Sequence, residues 1–140
     1  MSRGGHRGYI ASRSVQGSVT PQKVQNLVIR DYAGRSGLDY RLSAAEYGMP
    51  GCYIMLNGLL DELERPPGLD GIICYSLFML PARRARRRRV YDRLLAAGAS
   101  LHAALEGLVL AGPDDIDRCE DLLRLDRAAA SLAEIPSWSI

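Results

Sequence analysis

The sequence predicts a single three-layer α/β/α domain built on a four-stranded, mainly parallel sheet. Three observations carry this expectation. The run Gly71-Ile72-Ile73-Cys74-Tyr75-Ser76-Leu77-Phe78-Met79-Leu80-Pro81 is the long apolar stretch without helical spacing. A run of that kind suits a strand buried on both faces, as at the centre of a parallel sheet. Strand-like and helix-like segments alternate four times, the (βα)4 order that gives parallel strands, right-handed crossovers and helices on both faces. Finally, 140 residues with 47% hydrophobic and 24% charged content suit one domain with its own core.

Residues 1–6 read as a disordered leader, residues 7–134 as the domain and residues 135–140, with the single Trp138, as a tail. The first strand is expected over 7–12, followed by a polar loop over 13–19. Thr20 as N-cap and Pro21 at the first helical position open the first helix, in which Val24, Leu27, Val28 and Tyr32 repeat at helical spacing. Alternating residues 38–43 predict the second strand, and 44–49 a loop. Pro50-Gly51 opens a second helix whose apolar stripe is Cys52, Met55, Leu56, Leu59, Leu60 and Leu63; Pro66 and Pro67 end it. The central strand covers 70–76. Pro81 opens a third helix that stops at Gly98, residues 101–106 form the fourth strand, and Asp114 caps a fourth helix carrying Ile116, Cys119, Leu122 and Leu123.

Composition narrows the function classes. No apolar run approaches the roughly 20 residues that cross a bilayer, and residues 1–8 hold no apolar signal segment, so no membrane span and a cytoplasmic location are expected. Cys52, Cys74 and Cys119 form no C-x-x-C and are read as reduced thiols. With two histidines, they make no zinc ligand set, and neither metal nor bound cofactor is expected. Net charge is +2, too small to argue for nucleic acid. Seventeen of the 18 basic residues are arginine, and Arg83, Arg84, Arg86, Arg87, Arg88, Arg89 and Arg93 crowd the third helix. No aromatic interrupts the run over 83–89, so a solvated face or a partner's anions are the readings, rather than nucleic acid.

In open α/β sheets ligands bind at the carboxyl ends of the strands. There the first loop offers Ser12, Arg13, Ser14 and Gln16 ahead of a helix N-terminus, with Gln22 in its first turn: an anion site, or a polar connection. Gln25 is assigned to the surface. Glu46 and Tyr47 follow the second strand, Tyr75 and Ser76 the third, and Glu106 ends the fourth. A carboxylate beside a phenol serves general acid/base chemistry such as sugar epimerisation; the plain alternative is that these groups cap the sheet. His102, early in the fourth strand, reads as a buried, hydrogen-bonded histidine. Cys52 and Cys74 read as core.

Two resemblances follow from the motifs. Residues 69–80, a basic helix and then Gly98-Ala99-Ser100-Leu101-His102 resemble the serine recombinase (resolvase) catalytic domain, as does Tyr9 through Gln16. The resemblance implies a resolvase-like fold. It does not extend to strand exchange: the opening arginine falls at Ala11, and the acidic-basic element after the central strand is the apolar Leu77-Phe78-Met79-Leu80. The sequence also resembles the sporadic carbohydrate cluster family. The matching residues include Arg7-Gly8-Tyr9-Ile10-Ala11-Ser12-Arg13, Ile29-Arg30-Asp31-Tyr32, Glu46-Tyr47, Tyr75-Ser76-Leu77-Phe78, His102-Ala103 and Glu120-Asp121. That resemblance implies a role in carbohydrate biosynthesis. The expectation is a cofactor-independent isomerase, epimerase or carbon–carbon bond enzyme acting on a phosphorylated or nucleotide-linked sugar. The alternative is a non-catalytic module partnering a pathway enzyme; a remnant DNA-binding domain ranks last. A homo-oligomer is expected from the apolar second helix and tail.

Overall fold

The computed structural model describes residues 3–133. Its strands are β1 (His6–Ala11), β2 (Tyr40–Glu46), β3 (Gly71–Cys74), β4 (Ser100–Ala103) and β5 (Leu108–Leu110). Its helices are α1 (Gln22–Ser36), α2 (Ile54–Glu64), α3 (Arg84–Ala96) and α4 (Asp114–Ala133), with a 3-10 turn at Leu77–Met79. The sheet order is β2-β1-β3-β4-β5; the first four strands are parallel and β5 runs antiparallel to β4. β3 is the middle strand and all four of its residues are buried. The expected α/β class is therefore present, with one strand more than the four expected.

The extra strand arises because residues 101–106 are not one strand. β4 ends at Ala103, Gly107 turns the chain at φ 67°, and Leu108–Leu110 returns along β4. Three residues are too few to show a period, so the hairpin leaves no alternation to read. Other boundaries shift for similar local reasons. β2 extends through Glu46, which pairs with Ala11, so Glu46 ends a strand and does not sit in a loop. α2 opens at Ile54 rather than at Pro50-Gly51, and α3 at Arg84 rather than Pro81 because the 3-10 turn intervenes. α1 begins at Gln22 with Pro21 in the cap position and no side-chain cap from Thr20.

α1 covers one face of the sheet, where the Tyr32 hydroxyl meets His102 Nδ1 of β4 at 2.8 Å. Its buried residues are Gln25, Ile29, Tyr32 and Ala33, while Val24 and Leu27 of the expected stripe are exposed. α2 and α3 cover the other face and pack on each other. Leu56, Leu59, Leu60 and Leu63 of α2 are buried, each contributing roughly 1.5–3 kcal/mol. The stripe that suggested oligomerisation is thus used inside the protomer. α4 lies beside α3, held by Glu120 against Arg87 and Tyr91. β3 and β4 approach closely at Gly71, where any Cβ would collide with the Ser100 carbonyl.

The expected leader is tied down from Arg3 onward. Its guanidinium donates to the carbonyls of Ala97 at 3.0 Å and Gly98 at 3.1 Å, and Gly4 N–H to Gly68 O at 2.8 Å. His6 is already the first residue of β1. Met1, Ser2 and the expected tail over 135–140 lie outside the described residues. Among the described residues no helix is long and apolar enough to cross a membrane.

Candidate functional site

β1 and β3 are neighbours whose crossovers leave in opposite directions, β1 through α1 to β2 and β3 through α3 to β4. The crevice above their carboxyl ends is the topological switch point, where α/β sheets bind ligands. Ser12 and Arg13 follow β1 there, Glu46 ends β2, and Tyr75 and Ser76 follow β3. The expected convergence on one edge is present, but the groups do different work from that expected.

Glu46 is only 2% exposed. Its Oε1 accepts from the Tyr9 hydroxyl at 2.9 Å and from Leu56 N–H at 3.1 Å. Its Oε2 accepts from Met55 N–H at 3.0 Å and from Tyr47 N–H at 3.2 Å. A carboxylate buried against the first turn of α2 is a helix cap, stabilised by free N–H groups and the helix dipole. Protein donors take up its lone pairs, so in this structure it holds the start of α2. Glu106, half-buried, also holds a turn. Its two oxygens accept from Ser76 Oγ at 2.8 Å and Leu77 N–H at 2.7 Å, and Ser76 Oγ accepts from Phe78 N–H at 3.2 Å. The pair shapes the 3-10 turn, and Glu106 lies in the β4–β5 turn rather than at the end of β4.

Tyr75 is buried and its hydroxyl lies 3.5 Å from Thr20 Oγ1. Tyr47 is exposed. Ser12, Ser14, Gln16 and Gln22 are exposed; Val15 and Ser18 pair across a tight turn, and Gln16 donates to Asp126 Oδ1 at 2.9 Å. Gln25, assigned to the surface, is fully buried. Its Oε1 accepts from Ala11 N–H at 3.1 Å, and its Nε2 donates to the carbonyls of Ala11 at 2.6 Å and Thr20 at 2.8 Å. It closes the end of β1 where the ladder stops. The missed signal was its position four residues before Ile29, on the true buried stripe.

Arg13 is the residue that joins the loops. Its Nη1 donates to Cys52 O at 2.7 Å, and its Nη2 to Met79 O at 3.2 Å and to the Tyr9 hydroxyl at 3.3 Å. Burial, then the hydrogen bond to Glu46, push the Tyr9 phenol above its ordinary pKa, so it stays a neutral donor. The Arg13 guanidinium also lies 4.6 Å from the centroid of the Tyr53 ring, and that of Arg86 lies 4.9 Å from the same centroid. Cation–π attraction holds two cations near one ring. Arg86 and Arg89 are exposed and form no ion pair among the described residues, whereas Arg93, one to two turns further on, pairs with Asp61 and Glu64.

From Tyr53 and Arg86 a cavity of about 310 Å³ runs down between α2 and α3, over Leu56, Leu60 and Val90. Sequence reasoning named Arg86 only within a charge run and did not single out Tyr53. Residues that meet only after two crossovers leave no local spacing to find.

His102 is buried, as expected, between Tyr32 and the Ser100 hydroxyl, which is 2.9 Å from Nε2. Burial and the neighbouring His6 lower its pKa to about 4. Burial pushes the Cys119 thiol up to about 11 and Cys74 higher still, which leaves both unreactive. Among the described residues no three His, Cys, Asp or Glu side chains converge as a metal site.

No family model matches the chain, and a search of curated proteins finds no match. Among solved structures it is similar to a resolvase family site-specific recombinase from Streptococcus pneumoniae, with a TM-score of 0.62 and 12% identity over 91% of each chain. It is also similar to the N-terminal catalytic domain of TP901-1 integrase, with a TM-score of 0.57 and 15% identity over 90% of this chain and 98% of that one. The fold is resolvase-like. At such identities the likeness establishes the fold alone. In this resolvase-like domain the first strand ends in Ala11, and the turn after the central strand is the apolar Leu77–Met79.

Proposed function

We propose that this chain is a resolvase-fold module that binds a phosphorylated or nucleotide-linked sugar, in a carbohydrate-biosynthesis setting. The phosphate sits at the head of the α2–α3 cleft, against Arg86 and Arg89, beside Tyr53. One observation carries the reading: Arg13 and Arg86 both lie against the Tyr53 ring, and Arg86 and Arg89 lack carboxylate partners among the described residues. Arg13 is already hydrogen-bonded to two loop carbonyls, so it fixes the platform while Arg86 is left to meet an anion. Charge-assisted bonds from arginine to phosphate are among the stronger polar contacts available to a shallow site. The sugar half of the proposal rests on the motif resemblance set out above.

Binding, rather than turnover, is favoured because Glu46, a carboxylate expected to move protons, is fully engaged as a helix cap, and each Glu106 oxygen already holds the turn after β3. Calorimetric titration of the purified chain with inorganic phosphate and UDP-glucose tests this. Saturable binding that falls at least tenfold in Arg86→Ala supports it. No binding, or binding unchanged in that variant, overturns it. A duplex-DNA affinity that collapses with salt, with no affinity for either small ligand, would replace it with a polyanion reading.

A further inference from the structure

We infer that the α2–α3 cleft also recognises the unphosphorylated end of its ligand, with Asn57 hydrogen-bonding a sugar hydroxyl, so that the site prefers polyhydroxylated phosphate esters to phosphate itself. This rests on the phosphate reading above and goes past it to what sets specificity.

The charged groups of the cleft are ordered along an apolar floor of Leu56, Leu60 and Val90. At its head are the unpaired cations Arg86 and Arg89. At its foot, two carboxylates share one cation: Arg93 donates to Asp61 at 2.7 Å and through Nε to Glu64 at 3.0 Å. The cation at the foot is therefore engaged by carboxylates of α2, while those at the head are not. Arg86 and Arg93 are seven residues apart on α3, about two turns or about 10 Å along the axis. A ligand lying there meets free cations at the head and, further down, the carboxamide of Asn57. A phosphate ester with an uncharged, hydroxyl-bearing tail matches a cleft whose free cations are at one end; an anion at both ends does not.

Asn57 stands between the two ends and lines the cavity. It is exposed, and its neighbour Gly58 has open space where a Cβ would be. Asn and Gly are both poor residues for a helix interior, yet they sit together in the middle of α2 where no packing requires either. Local choices that conflict with the element around them concentrate at functional sites. A carboxamide offers both a donor and an acceptor, which is the pairing a hydroxyl uses.

The test is titration of the parent chain and of Asn57→Ala with inorganic phosphate, glucose, glucose 6-phosphate and UDP-glucose, with thermal unfolding in parallel. In the parent, glucose 6-phosphate or UDP-glucose is expected to bind at least tenfold tighter than phosphate. In Asn57→Ala that advantage falls below threefold while phosphate affinity stays within twofold. The variant should melt no lower than the parent, since alanine is the better helix residue. Equal affinity of the parent for phosphate and both esters overturns the inference and leaves the anion site standing, as does an Asn57→Ala that keeps the full preference. Absence of phosphate binding in the parent overturns the site and the inference together.

Discussion

The Tyr9 hydroxyl donates to Glu46 at 2.9 Å, from the strand next to the one that Glu46 ends. The bond ties the middle of β1 to the first turn of α2, because the same carboxylate holds the amides of Met55 and Leu56. Glu46→Gln keeps the shape but loses the charge and turns an amide donor toward N–H groups. Hydrogen bonds to a charged partner contribute about 1.5–3 kcal/mol each, so Glu46→Gln should cost at least about 2 kcal/mol in urea unfolding. Tyr9→Phe should cost less, about 1–2 kcal/mol. An unchanged midpoint in Glu46→Gln would remove the capping role.

His102 makes stability fall in mild acid. Its ordinary pKa of 6.5 drops to about 4 in the fold because it is buried beside His6, with Tyr32 and Ser100 as its hydrogen-bond partners. The unfolded chain therefore takes up the proton first. The contribution is fully present above pH 6.5 and is lost progressively as pH falls toward 4, by about 3 kcal/mol at pH 4. Urea unfolding at steps between pH 7.5 and 4 should show this slope, and His102→Gln should flatten it.

Arg87 and Glu120 form a buried ion pair with contacts at 2.6 and 2.9 Å, and Tyr91 donates to the same carboxylate at 2.8 Å. Burial acts to raise the Glu120 pKa, but the bonds from Arg87 and Tyr91 outweigh it and hold the carboxyl below its ordinary value. The pair's contribution is present above the ordinary carboxyl pKa of 4.5 and lost as pH falls below it, a lower window than that of His102. Glu120→Ala strands the Arg87 cation and should cost about 3–5 kcal/mol, whereas the double variant Arg87→Met/Glu120→Leu should recover most of that loss. Chemical denaturation of the three proteins decides it.

Gln25 serves as acceptor and donor at once, so its amide cannot be replaced by a carboxylate. In Gln25→Glu the donor to the Ala11 and Thr20 carbonyls disappears and a charge is buried. The loss should exceed the roughly 1–3 kcal/mol of a single unsatisfied buried group and should exceed that of Gln25→Ala, where the cavity admits water. Equal melting temperatures for parent and Gln25→Glu would contradict the clamp.

The fold class was legible because it depends on signals that stay local in the chain: the apolar β3 run, the α2 stripe from Leu56 to Leu63, and the breaker at Pro66-Pro67. β5 was not, since three residues carry no period. The gathering of Arg13, Glu46 and Ser76 on one edge also followed from strand order alone. Their roles did not. Whether Glu46 faces a ligand or a helix terminus depends on where α2 starts, and that moved from Pro50 to Ile54. A glutamine on an apolar face, such as Gln25, looks like an error in the pattern until the carbonyl it serves is known. The contact of Tyr53 with Arg86 spans two crossovers and is written nowhere in the sequence between them.

Arg13 reaches the β2–α2 connection through Cys52 and the segment after β3 through Met79. Three loops from three strands are therefore latched by one side chain. None of them swings out without breaking bonds to the others, so their amide protons should exchange with solvent as a single cooperative unit. A platform latched in this way is already set before any ligand arrives, and little ordering entropy remains to be lost on association.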